Sequence, residues 1–103
     1  MKPYIQKLIS LFNPEHTTFI KHEIITFKFK GIRLKRKGFY LVWKDNVTKT
    51  TFDLTFEPVE YSNGDKWMIC GDALRRLGFD GIVYAKSTKS AFTKLWGKKY
   101  KGQ

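Results

Sequence analysis

Cysteine, proline and acidic side chains are all scarce in this chain: one cysteine, three prolines and nine carboxylates occur among 103 residues. No apolar run approaches the roughly 18 residues that a membrane-spanning helix needs. The single cysteine, Cys70, excludes an internal disulfide, so a reducing cytosol is the expected compartment and a small buried residue the expected role. Residues 1–12 are too short and too polar for a secretory signal. Repeats and low-complexity linkers are also missing. The expectation is one domain over residues 1–97, followed by a flexible basic tail over 98–103.

Several catalytic patterns are missing too. There is no Ser-His-Asp order, no phosphate-cradling glycine loop and no His-Glu-x-x-His. Asp53, Glu57 and Glu60 fall mainly on the polar side of one strand and lack the acid-spacer-lysine arrangement of metal-dependent nucleases. His16 and His22 have no cysteine or carboxylate neighbours at ligand spacing. The sequence therefore predicts no catalytic residue, metal, cofactor or small-molecule substrate. A metal-free ribonuclease-type toxin that uses a histidine with lysines stays open as an alternative.

Positive charge is what the chain has in excess. Twenty Lys and Arg against nine Asp and Glu give a formal charge of +11. Such a field attracts nucleic acid, an anionic membrane or an acidic protein. Its distribution narrows the choice. Residues 24–44 carry seven basic side chains and no acid, and residues 81–103 carry six and none. Between them, residues 45–66 hold five acids and two lysines, a local balance of −3. Blocked charge of this kind suits a binding surface.

Apolar spacing predicts the elements. Pro3, Ile5, Leu8, Ile9 and Phe12 make a short amphipathic helix that covers the sheet and ends at Asn13-Pro14. Ile25, Phe27 and Phe29 alternate with Thr26, Lys28 and Lys30, which assigns the aromatic set to the core. After Gly31 the parity flips, so a bulge or bend there would align Lys28, Lys30, Arg33 and Lys35 on one solvent face. A basic turn, Lys35-Arg36-Lys37-Gly38, leads to a strand at 39–43, and a turn at Asp45-Asn46 leads to Phe52, Leu54 and Phe56 in alternation. Asn63-Gly64 marks a hairpin. Tyr40 and Tyr100 are candidates for stacking on bases, as in single-strand binders.

From Trp67 to Phe79 a strand turns into a helix whose inner face is Ala73, Leu74 and Leu77 and whose stop is Gly78. Asp72, near the helix start, is placed to cap it and to complement its dipole. A short strand, Ile82-Val83-Tyr84, precedes a second helix capped by Ser87 or Ser90, with Ala91, Phe92, Leu95 and Trp96 on one side and Gly97 as its stop. The run Trp67-Met-Ile-Cys-Gly-Asp72-Ala73-Leu-Arg-Arg-Leu77-Gly78-Phe79, with Asn63-Gly64-Asp65 before it, resembles the signature of the BRO N-terminal domain, related to KilA-N, of prophage and viral antirepressors. Residues 85–96 resemble that family's second helix more loosely. The resemblance implies non-catalytic DNA binding in a phage or mobile-element protein, acting in transcription regulation in the host cytosol.

The resulting expectation is an α+β fold: a twisted antiparallel sheet of meander and hairpins, one short N-terminal helix and two short C-terminal helices. Lys28, Lys30, Arg33, Lys35, Arg36, Lys37, Arg75, Arg76, Lys86, Lys89, Lys94, Lys98 and Lys99 are the candidate nucleic-acid contacts. The two basic blocks are expected to converge on one phosphate chain. DNA is favoured over RNA, and membrane is excluded. A small inhibitor docking on an acidic host protein is the alternative from another class.

Overall fold

The computed structural model describes residues 3–28, 35–59 and 66–102, the side chains of residues 3 and 99–102 excepted. Helix α1 (Pro3–Ile9) precedes strands β1 (Thr17–Phe27), β2 (Arg36–Asp45), β3 (Thr51–Pro58) and β4 (Trp67–Cys70). Helix α2 (Asp72–Arg76), strand β5 (Val83–Ala85) and helix α3 (Thr88–Gly102) follow. The strands form one sheet in the order β1-β2-β3-β4-β5, antiparallel throughout, so the expected α+β architecture is the one found.

One face of the sheet carries the core. Phe39, Leu41 and Trp43 stand opposite Phe56, Leu54 and Phe52 across the β2–β3 ladder, and Ile69 extends the layer onto β4. Ile5, Leu8, Leu11 and Phe12 from the N-terminal segment, Ala73, Leu74 and Leu77 around α2, and Ala91 and Leu95 from α3 close over it. Phe12 packs edge-on to Phe52 and tilted against Trp43, both at 4.8 Å between centroids, and the Trp43 indole N–H donates to the Ile9 carbonyl at 3.3 Å. Among the described residues, the opposite face carries no helix.

The strand-to-helix corner forms as its sequence predicts, with one local difference. Gly71 turns the chain at φ +120, and a Cβ there would collide with the Asp53 carbonyl oxygen. Gly78, at φ +94, ends α2 with a Schellman pair: the Phe79 amide donates to the Leu74 carbonyl at 2.9 Å and the Gly78 amide to that of Arg75 at 3.0 Å. Asp72 makes no capping hydrogen bond, because it lies inside the first turn and the capping position is Gly71.

Two further expectations are corrected. Ile25 and Phe27 are outside the buried core and face the helix-free side, opposite Gly38 and Arg36. A register break between Phe19 and Lys21 sets His22 and Ile24 on the helix side instead. Phe29 and Gly31 lie outside the described residues. The second correction concerns Gly97, which does not stop α3. That glycine has no positive φ, and the helix runs on to Gly102, so residues 98–102 continue α3 where a flexible tail was expected. At the other end of this helix Ser87 is the cap: its Oγ accepts from the Ser90 amide while the Ser90 Oγ accepts from the Ser87 amide, both at 3.1 Å.

Candidate nucleic-acid interface

Strand register decides which basic residues share an end of the sheet. The pairs Thr26↔Lys37 and Phe27↔Arg36 continue the β1–β2 ladder past Phe39↔Phe56, to the level at which β3 ends at Pro58. Gly38 sits between, where any Cβ would strike the Phe56 carbonyl oxygen. This end of the ladder leads to Lys28 on one strand and comes from Lys35, Arg36 and Lys37 on the other. At the same end, Pro58 pairs with Trp67 and Trp67 with Ala85. Lys66, just before Trp67, and Lys86 and Lys89, just after Ala85, therefore stand at that end too. From β2 to β5 is three strand spacings, about 14 Å.

This end collects Lys28, Lys35, Arg36, Lys37, Lys66, Lys86 and Lys89. The nearest described carboxylate on β3 is Glu57, one residue inward of Pro58 on the helix-free face. Lys66 was missed in the sequence because it sits in the acidic middle segment, and only the β3–β4 pairing moves it beside the basic blocks. Lys30 and Arg33 lie outside the described residues, and so does the side chain of Lys99.

Arg75 and Arg76 are at the other end. Arg76 donates from Nη1 to Asp45 Oδ2 at 2.8 Å, and its guanidinium carbon lies 4.2 Å from the centre of the Phe52 ring. That arginine clamps α2 onto the β2–β3 turn. Asp45 also accepts from the amides of Val47 and Thr48, and these bonds, with that of Arg76, bring its carboxyl down to about 2. Lys94 donates to the Tyr84 carbonyl at 2.6 Å, and Lys98 stands 5.6 Å from the Phe79 ring centre, so both also tie α3 to its surroundings. Lys7, absent from the expected set, lies 5.8 Å from the Phe92 ring centre where α1 meets α3.

The helix-free face of the sheet is mixed in charge among the described residues. Glu23, Asp53 and Glu57 share it with Lys21 and Lys44. Tyr40 there donates to Glu23 Oε2 at 2.7 Å, which fixes its ring beside Lys21. Burial and the charges of Glu57 and Asp53 push the Cys70 thiol up, away from the thiolate a nucleophile requires. The histidines are not brought together. His16 lines an open cleft of about 490 Å³ with Asn13, Asp45 and Arg76, whereas His22 packs edge-on to Phe39 near the middle of β1. No group of three or more His, Cys, Asp or Glu is clustered for a metal, and no helix is long and apolar enough to cross a membrane, among the described residues. No family model, curated protein or solved structure matches the chain.

Proposed function

We propose that the protein binds DNA without catalysis, through the basic end of its sheet. The observation that carries this reading is the register: it places Lys28, Lys35, Arg36 and Lys37 at the end of the β1–β2 ladder and Lys66, Lys86 and Lys89 beside them, along one end of one sheet. Lysines so arranged neutralise phosphates and release counterions. The likeness of residues 63–79 to the BRO N-terminal signature points in the same direction.

Fluorescence anisotropy with labelled random duplex DNA, single-stranded DNA and RNA across a salt series tests the reading. Duplex affinity should fall linearly in log salt. Replacing Lys66, Lys86 and Lys89 together by Ala should reduce the slope by roughly 3, about 0.9 for each phosphate no longer neutralised. Arg75→Ala should leave it unchanged. Negligible affinity for all three nucleic acids at low salt would sink the proposal, as would a slope indifferent to the lysines.

A further inference from the structure

Strand β1 is an edge. It pairs with β2 on one side and, among the described residues, with no strand on the other. Eleven residues with one row of backbone N–H and C=O groups open form a template for another strand. The order of its side chains specifies which strand fits.

About His22 the strand is chemically self-complementary. Lys21 and Glu23 flank it at one residue, Ile20 and Ile24 at two. In an antiparallel pairing of β1 with β1 of a second copy, with the two-fold axis through His22, Lys21 faces the partner's Glu23 and Glu23 faces the partner's Lys21. The faces agree as well. Lys21 and Glu23 stand opposite Val42 and Tyr40 on the helix-free side, while His22 and Ile24 stand opposite Leu41 and Phe39 on the helix side. Opposed residues of an antiparallel pair share a face, so the two-fold keeps the helices of both copies on one side.

The groups to be matched are already set. Ile24 is 68% exposed on the helix side, next to the edge that a second copy would cover. Lys21 Nζ lies 3.1 Å from Glu23 Oε1 within the chain, so two copies would close a ring of four alternating charges. Neighbouring registers are disfavoured. A shift of two residues either way puts Lys21 against the partner's Lys21 or Glu23 against the partner's Glu23, and a shift of one opposes residues from different faces. The irregularity between Phe19 and Lys21 ends the matched stretch on the amino side.

We infer that β1 is a homodimerisation edge, joining two copies into a ten-stranded sheet centred on residues 21–23. This inference does not depend on DNA binding. Sedimentation velocity from low micromolar to submillimolar concentration should show a reversible dimer. Glu23→Lys alone and Lys21→Glu alone should each weaken it by roughly tenfold or more, since each opposes like charges across both symmetric pairs. Mixing the two variants should restore association as a heterodimer, because every charge then meets its opposite. Thermal melts would establish that both variants are folded. A monomer throughout, a dimer insensitive to either variant, or a mixture that stays monomeric would each overturn the assignment.

Discussion

Single residues fix the corner between β4 and α2, and two of them give measurable consequences. Gly71 combines a φ of +120 with the Asp53 carbonyl in the space that an added Cβ would need. Gly71→Ala should therefore destabilise the fold by about 2 kcal/mol or more, read as a lowered urea midpoint with unchanged slope. Asp45 is held by two amides and by Arg76, and its carboxyl titrates at about 2 in the folded chain against an ordinary 3.8. A depressed carboxylate contributes stability above its unfolded value and loses that contribution as pH falls through the folded one. Melting temperature should thus drop between about pH 4 and pH 2, and Asp45→Asn should flatten that part of the profile.

At the scale of the element, α3 shows how a correct local rule can point to the wrong boundary. Glycine after an apolar stripe is a common helix stop, yet Gly97 lies within α3, and a Cβ there would meet nothing within 4 Å. Gly97→Ala should consequently stabilise the protein by about 1 kcal/mol in a thermal or chemical melt. The stripes themselves were legible: Leu8, Phe52-Leu54-Phe56, Ala73-Leu74-Leu77 and Ala91-Leu95 are all buried where their spacing places them. What spacing could not supply was β1, whose alternation is reset by one irregular residue near Ile20. The Ile25-Phe27 pair then reads as core in sequence but lies over Gly38 on the helix-free face, where Gly38 leaves room for the Phe27 ring. Arg76 was equally hidden, since its partners Asp45 and Phe52 are distant in sequence and adjacent only after the sheet has formed.

Across the whole molecule, the register gathers Lys35, Arg36 and Lys37 of the first basic block and Lys86 and Lys89 of the second at one end, with Lys66 from the segment between, and leaves Arg75 and Arg76, which belong to neither block, at the other. A net charge of +11 on so small a fold opposes compaction by self-repulsion, and salt screens that repulsion. Raising ionic strength from low to moderate should therefore raise the melting temperature of the free protein while it weakens binding to DNA. Opposite signs in the two measurements would separate a general charge effect from a local one.

The packing of α1 against α3 has a consequence for biosynthesis. Leu8 and Leu11 share their core with Ala91 and Leu95, so the helix translated before the sheet is buried partly by the helix translated after it. While a ribosome still holds α3 in its exit tunnel, the earlier helix and the apolar side of the sheet lack that cover, and a chaperone that recognises bare leucines has a window in which to bind. Closure of the fold therefore waits until α3 has left the tunnel.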